Sequence, residues 1–215
     1  MTDAQPIVYI VDDDAAVRHS LEWLVASVGL QARPLASARE FLDAFDAARP
    51  GCLVLDLRMP DMSGLELQEQ LAARGLAVPT IMITAYGEVP AAVRAMRAGA
   101  VDFVQKPFSD QALLERIQEA VARARQVHRE RRDAAALAER LEQLSRRETQ
   151  VMFGLAEGLA NKQIAARLDL SEKTVEVYRS RLLKKLRVRT VAELVRIALR
   201  APTIGDFATG ANGKP

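Results

Sequence analysis

Polar side chains end several short apolar runs in this 215-residue chain, and their chemical types suit phosphoryl transfer. Asp12 and Asp13 follow the first of these runs, and Asp56 follows a second. Thr84 and Lys106 end two later runs. Crowded carboxylates repel one another unless a cation shares their site, and a hard divalent ion prefers oxygen ligands. The residue types therefore predict a site for Mg²⁺ or Mn²⁺, provided that the fold brings these side chains together.

Asp56 is the predicted nucleophile of that site. A carboxylate beside a bound metal ion can attack an incoming phosphoryl group and form an aspartyl phosphate, while Lys106 and Thr84 bind the transferred oxygens. The alternative is that each acid caps a strand in solvent, which is common for a single residue such as Asp12. The full set in this order favours the phosphoryl-transfer site.

The stretches between these residues predict how they are positioned. Short buried runs alternate with amphipathic helical patterns, for example Val17, Leu21 and Leu24. Such alternation is typical of a parallel sheet with helices on both faces. Side chains at the carboxyl ends of parallel strands converge in one crevice, so we expect the site at that edge of the sheet.

Charge divides the chain into an acidic first half and a basic second half. Residues 1–122 carry 10 Lys and Arg against 17 Asp and Glu, net −7, whereas residues 145–200 carry 13 against 6, net +7. This asymmetry predicts a cation-binding domain followed by a domain that faces a polyanion. The single Cys52 excludes an internal disulfide framework. No apolar stretch is long enough to cross a bilayer, so we expect a cytoplasmic protein without a membrane partner.

The basic half shows the pattern of short helices with clear starts. Ser145 and Glu148 fit a capping box, as do Thr190 and Glu193. A helix over about residues 161–168, a tight connection and a second helix capped by Ser171 together predict a helix-turn-helix.

The helix that follows Ser171 is the predicted DNA-reading element. Its inward face is expected to carry Val175, Tyr178, Leu182 and Leu186. The opposite face is polar without being uniformly basic, which suits the floor of a DNA major groove, and Arg179, Arg181 and Lys185 flank it where phosphates would lie. The candidates for DNA contact are Lys173, Thr174, Glu176, Val177, Arg179, Ser180, Arg181 and Lys184. A solvated surface helix is the alternative.

Residues 123–143 join the two halves and are rich in Ala, Arg and Glu. This composition favours a helical linker over a flexible tether. Leu137, Leu141 and Leu144 continue an apolar stripe that is too short for a firm coiled-coil prediction. The linker therefore either touches a second copy of itself or is a solvated connector.

Residues 5–122 resemble the receiver domain of two-component response regulators, because the acids, the threonine and the lysine described above stand at the positions of its motifs. The resemblance implies an α/β, doubly wound (βα)5 fold with strand order 2-1-3-4-5. It also implies that the bond between Lys106 and Pro107 is cis. The implied metal ligands are Asp13, Asp56 and the backbone carbonyl of Arg58, with Asp12 contacting the metal through water.

The stretches Leu144–Glu148, Gly158–Ala165 and Ser171–Arg179 resemble the LuxR-type helix-turn-helix. With the receiver motifs they make the chain similar to regulators of the NarL/FixJ family, closest to the FixJ-like branch. The turn before Ser171 holds Asp169 where some relatives have glycine, so it must accept Asp in an unusual backbone conformation. The expected domains are a receiver at 5–122, a helical linker at 123–143, an all-α four-helix DNA-binding domain at 144–201 and a mobile tail at 202–215.

The resemblance further implies a switch and a set of partners. Thr84 turns toward the phosphoryl group, and Phe103 fills the space that it leaves. Arg58 and Tyr86, each two residues beyond a site residue, are expected to influence the lifetime of the phosphate. The implied partners are a sensor histidine kinase, double-stranded DNA, a second copy of the chain after phosphorylation and, as a further candidate, RNA polymerase.

The expected function is therefore that phosphorylation of Asp56 switches dimerisation and sequence-specific DNA binding to control transcription, with no catalysis beyond the chain's own phosphoryl transfer and dephosphorylation. Two alternatives stay open. One is a constitutive DNA-binding regulator with an idle receiver. The other is a Mg²⁺-dependent phosphatase or phosphotransferase, although such enzymes often carry a second carboxylate where this chain has Arg58.

Overall fold

The computed structural model describes residues 5–85 and 89–200. Its first elements are β1 (Ile7–Val11), α1 (Ala15–Ser27), β2 (Gln31–Leu35), α2 (Ala38–Ala44), β3 (Gly51–Asp56), α3 (Gly64–Ala73), β4 (Thr80–Thr84), α4 (Val89–Arg97) and β5 (Asp102–Gln105). These are followed by α5 (Asp110–Glu142), α6 (Arg146–Ala156), α7 (Asn161–Leu168), α8 (Glu172–Leu186) and α9 (Val191–Arg200). Among the described helices, none is both long and apolar enough to cross a membrane.

The five strands form one parallel sheet in the order β2-β1-β3-β4-β5. The register pairs Val11 with Leu55 and Thr84 with Gln105, so the carboxyl ends of β1, β3, β4 and β5 lie along one edge of the sheet. The predicted fold class and strand order are confirmed. The helices between the strands cover both faces, as a parallel sheet requires.

Alternate residues of the central strands enter two separate cores. Leu53 and Leu55 of β3 pack in one cluster with Tyr9 and Phe41, whose rings meet edge to face at 5.3 Å. Cys52 and Val54 of β3 pack in the second cluster on the opposite face. Burial raises the pKa of the Cys52 thiol to about 12, which keeps it protonated at neutral pH.

The helix starts follow the sequence closely. Both hydrogen bonds of the capping box at Ser145 and Glu148 are present. At α9 only half of the predicted box forms: the Thr190 hydroxyl accepts from the Glu193 amide, but the Glu193 carboxylate accepts from the amide of Arg189 instead of that of Thr190. The Glu193 side chain therefore stabilises the turn one residue earlier than expected.

Helix α5 runs without a break from Asp110 to Glu142, so the helical linker is confirmed as a helix. The chain divides into two compact units between Arg131 and Arg132. The finer domain boundaries stay a prediction. The expected mobile tail at 202–215 and Tyr86 lie outside the residues that the structure describes.

Candidate functional site

Three of the predicted site residues meet at the carboxyl edge of the sheet. Asp12 follows β1, Asp56 ends β3, and Lys106 follows β5. The ammonium group of Lys106 donates to Asp12 Oδ2 and to Asp56 Oδ1, each at 2.8 Å. The side chains of Asp12 and Asp56 are only 4% and 10% exposed, so the lysine neutralises two largely buried carboxylates.

The remaining oxygens of the two carboxylates accept backbone hydrogen bonds that fix their orientation. The amide of Asp14 donates to Asp12 Oδ1 at 2.9 Å, and the amide of Arg58 donates to Asp56 Oδ2 at 2.7 Å. The amide of Lys106 donates to the Thr84 carbonyl at 2.7 Å, which holds the start of the β5–α5 loop against the end of β4. The peptide bond between Lys106 and Pro107 is cis, as expected.

Burial and the nearby charges change the acidity of these groups. Burial raises the pKa of Asp56 above its ordinary value, and the hydrogen bond from Lys106 only partly offsets this. For Lys106, burial alone would lower the pKa, but the hydrogen bonds to Asp12 and Asp56 outweigh it and the pKa is raised. Lys106 is therefore a firmly charged ammonium group that holds Asp56 in place and favours its carboxylate form.

The donor atoms of this edge are of the kind that suits a hard divalent cation. Asp56 and Asp12 present carboxylate oxygens, and the neighbouring Asp13 is exposed in the turn between β1 and α1. Among the described residues, no three acidic, histidine or cysteine side chains come together as a ready-made metal centre. Asp12, Asp13 and Asp56 are hard oxygen donors, so the chemistry of these residues fits a divalent cation, and the set of metal ligands stays a prediction.

Thr84 and Phe103 lie on neighbouring strands beside this cluster. Thr84 is buried at the end of β4, and Phe103 in β5 pairs with Met82 of β4. The Phe103 side chain is half-buried and packs against the core cluster that contains Tyr9. The ring therefore lies at the boundary between the core and the solvent, and its inward movement stays a prediction.

Gly64 begins α3 beside this site and makes a close contact with the end of β3. Its amide donates to the Leu57 carbonyl at 3.0 Å, and a Cβ atom there would overlap the backbone carbonyl oxygen of Asp56. The first residue of α3 therefore packs directly against the end of β3. Its place after Met62 and Ser63 is a signal in the sequence for a turn, but the contact depends on the folded geometry.

The second compact unit contains the predicted helix-turn-helix as α7, a turn and α8. Asp169 ends α7 with a left-handed backbone, at φ 55°, as expected for this turn. The Ser171 hydroxyl then accepts from the amide of Thr174 and caps α8. Ile164, Val175 and Leu182 are fully buried in the core that α7 and α8 share with α6 and α9.

The faces of α8 divide as the sequence predicts. Val175, Leu182 and Leu186 are buried, and Tyr178 packs against the same core. The exposed residues of α8 among the DNA-contact candidates are Lys173, Glu176, Val177, Ser180, Arg181 and Lys184. The unit thus presents a continuous mixed face on one side of α8.

Three other side chains of α8 have partners within the same unit. A guanidinium nitrogen of Arg179 donates to Asn161 Oδ1 at 3.2 Å, and the Thr174 hydroxyl lies 2.7 Å from that of Ser171. Lys185 Nζ donates to the nearly buried carboxylate of Glu148 at 2.7 Å. Thr174 therefore helps to fix the start of α8, and Arg179 joins the middle of α8 to the first residue of α7. Lys185 pairs with a nearly buried carboxylate, at a position where the sequence had predicted a flanking phosphate contact.

Both halves of the chain match known protein families. Residues 8–118 match the family model described as the response regulator receiver domain, and residues 142–198 match that of the bacterial regulatory proteins of the luxR family. The chain is 42% identical over 199 residues to the transcriptional regulatory protein FixJ of Bradyrhizobium diazoefficiens, which covers 93% of this chain and 97% of that protein.

Two further relatives agree with this assignment. The response regulator protein TmoT of Ectopseudomonas mendocina is 44% identical and covers 93% of this chain and 91% of its own length. Among solved structures, the low-resolution structure of the response regulator StyR matches with a TM-score of 0.84 and 43% identity, covering 91% of this chain and 99% of that one. The similarity therefore extends across both compact units.

Proposed function

This chain belongs to the family of response regulators that join a receiver domain to a LuxR-type DNA-binding domain, and on that premise we propose that phosphorylation of Asp56 controls its binding to DNA. Proteins of this family act in two-component systems and regulate transcription, so a histidine kinase and DNA are its partners. Its action on chromosomal DNA places it in the cytoplasm in this proposal. The observation that carries the proposal is the Asp12–Lys106–Asp56 cluster, because it surrounds one nucleophilic carboxylate with fixed charges.

The proposed chemistry is transfer of one phosphoryl group to Asp56. A carboxylate oxygen attacks the phosphorus of a phosphohistidine, the bond between phosphorus and the imidazole nitrogen breaks, and the imidazole leaves with the electron pair. Lys106, already 2.8 Å from Asp56 Oδ1, is placed to bind an oxygen of the new phosphoryl group. Receiver domains generally bind Mg²⁺, and here Asp13, Asp56 and the Arg58 carbonyl would hold it, where it would neutralise charge on the transferred oxygens. The catalysis proposed is confined to the chain's own phosphate.

Phosphorylation adds about 1.5 to 2 negative charges and new acceptor oxygens at the edge of the sheet. We propose that Thr84 reorients toward these oxygens and that Phe103 moves further inward, which reshapes the surface of α4 and β5. That surface already exposes Val89, Val93 and Met96, which are 73%, 43% and 49% accessible. An apolar stripe of this kind supports dimerisation of the phosphorylated chain.

In the DNA complex, the exposed face of α8 would lie in the major groove. Glu176 can accept from cytosine, Val177 can contact a thymine methyl group, and Lys173 can donate to guanine. Arg181 and Lys184 are exposed and free to approach phosphates. Two copies brought together by the receiver would read two half-sites, with RNA polymerase as a further candidate partner at the promoter.

Labelling with an acyl phosphate tests the acceptor. The native chain is expected to gain one phosphoryl group in the presence of Mg²⁺, and Asp56→Asn none. Asp61→Asn, in the exposed loop after β3, is the matched control and should label normally. Retained labelling of Asp56→Asn would overturn the site assignment.

Sedimentation and DNA selection test the output. We expect the phosphorylated chain to sediment as a dimer and to select a DNA sequence with two half-sites, whereas Asp56→Asn stays monomeric under the same treatment. DNA binding of equal affinity and sequence preference with and without phosphate would favour the idle receiver instead. Multiple-turnover hydrolysis of free phosphomonoesters would favour the phosphatase.

A further inference from the structure

A cavity lies at the amino-terminal ends of β3, β4 and β5. Its volume is about 230 Å³, and its walls come from the loops before these strands and from α5. Gly51, which begins β3, is in the lining, whereas Asp56 ends the same strand. The cavity is therefore at the edge of the sheet opposite the phosphorylation site.

The cavity combines an apolar body with a cationic rim. Phe45, Leu76, Val78 and Val127 supply apolar walls. The charged and titratable residues in the lining are all basic: Arg49, Arg123, His128 and Arg131. No aspartate or glutamate is among the lining residues.

These basic groups are not neutralised by the protein around them. Arg49 donates to the Gln5 carbonyl at 3.0 Å and to Gln31 Oε1 at 3.2 Å, and both of these acceptors are neutral. Within residues 5–85 and 89–200, the side chains of Arg123 and Arg131 have neither a hydrogen bond nor an ion pair. Glu119 borders a neighbouring groove beside Arg123 without pairing with it. Arg123 and Arg131 are exposed and Arg49 is half-buried around the cavity, so water solvates them, and their combined positive charge favours an anion over a cation or a neutral ligand there.

We propose that this cavity binds a small monoanion with a compact apolar body, of the size of an aromatic carboxylate. A dry cavity of about 150 Å³ is enough to hold benzene. The larger volume here leaves room for a carboxylate beside the ring. Guanidinium groups bind carboxylates with two parallel hydrogen bonds. We therefore expect Arg123 and Arg131 to bind the carboxylate of the ligand, and the apolar wall of the cavity to contact its ring.

Because of the position of the cavity, a bound ligand would restrict the movement of α5. Residues 123–131 of α5 line one side, and the loops before β3, β4 and β5 line the other. A bound anion would join this part of α5 to those loops and protect its amides from exchange. The same helix continues to Glu142, so the ligand would act on the linker helix independently of Asp56.

The test is an amide NMR titration of the full chain with benzoate and with benzamide, which has nearly the same shape without the charge. We expect benzoate to shift the amides of Gly51, Gly99 and Val127, and benzamide to bind roughly tenfold more weakly or not at all. Arg123→Gln and Arg131→Gln should each weaken benzoate binding roughly tenfold. Arg125→Gln is the matched control, because Arg125 is exposed on the same helix outside the cavity and should change nothing.

Three outcomes would overturn the proposal: equal affinities for benzoate and benzamide, no shifts up to the solubility limit of the salt, or the same loss in Arg125→Gln as in Arg131→Gln. If a cavity variant fails to fold, the comparison of the two ligands on the native chain still decides. Labelling of Asp56 should be unaffected in every arginine variant, so failure here is separate from failure of the proposed function.

Discussion

Two adjacent lysines of α8 are expected to have different roles. Lys185 Nζ donates to Glu148 Oε2 at 2.7 Å and to the Gln143 carbonyl at 3.3 Å, which ties α8 to the start of α6. The side chain of Lys184 is exposed and has no hydrogen bond or ion pair to any described residue. We therefore predict that Lys185→Met destabilises the DNA-binding unit, and that Lys184→Met weakens DNA binding without destabilising it.

The expected loss of stability in Lys185→Met follows from how exposed the side chains of Glu148 and Lys185 are. The Glu148 side chain is 4% exposed and the Lys185 side chain 41%. Lys185→Met would leave the nearly buried carboxylate with Ser145 as its donor, through the amide at 2.8 Å and through the hydroxyl. Loss of a charged hydrogen bond costs about 1.5–3 kcal/mol, and because water screens the exposed lysine we expect about 1–2 kcal/mol. Lys184→Met should stay within about 0.5 kcal/mol of the native value.

The stabilisation that the Glu148–Lys185 pair gives depends on pH in a definite direction. Burial would raise the pKa of Glu148, but the hydrogen bonds from Lys185 and Ser145 outweigh it and the pKa is lowered. The contribution of the pair to stability is therefore fully present above the ordinary pKa of a glutamate and is lost as pH falls through the lowered value. The destabilisation caused by Lys185→Met should shrink over that range.

Hydrogen exchange of the buried Val151 and Leu182 amides measures the opening free energy of this unit in the full chain. A salt titration of DNA binding gives the second readout: the slope should fall by about one for Lys184→Met and stay unchanged for Lys185→Met. Equal destabilisation by the two substitutions, or a reduced salt slope for Lys185→Met, would refute the reasoning.

Three further predictions concern close packing and burial. Gly64→Ala should slow acyl-phosphate labelling of Asp56 several-fold, because the added Cβ pushes against the Asp56 carbonyl; labelling at the native rate would contradict this contact. Gly154→Ala should destabilise the DNA-binding unit by about 1–2 kcal/mol despite the better helix propensity of alanine, because the new Cβ would lie 2.8 Å from Ile164 Cγ1. A variant that is more stable than the native chain in denaturant unfolding would contradict this, because it would show that Ile164 moves aside at no cost. Cys52 should resist a thiol reagent at neutral pH until the receiver unfolds, since its pKa is about 12, and rapid labelling in the native state would contradict its burial.

The sequence determined the fold class, the strand order through the receiver resemblance, and the approximate positions of the linker helix and of the helix-turn-helix. The helix-turn-helix falls where Ser171 and Asp169 indicate. These predictions succeeded because apolar periodicity and capping are local, and each pattern is read from a few neighbouring residues.

The contacts within the site required the tertiary structure. Sequence placed Asp12, Asp56 and Lys106 at strand ends, but only the folded sheet brings Lys106 between the two acids. It likewise gives Lys185 a buried partner on another helix. These pairings join side chains far apart in the chain, and their distances depend on how strands and helices pack, which no local pattern encodes.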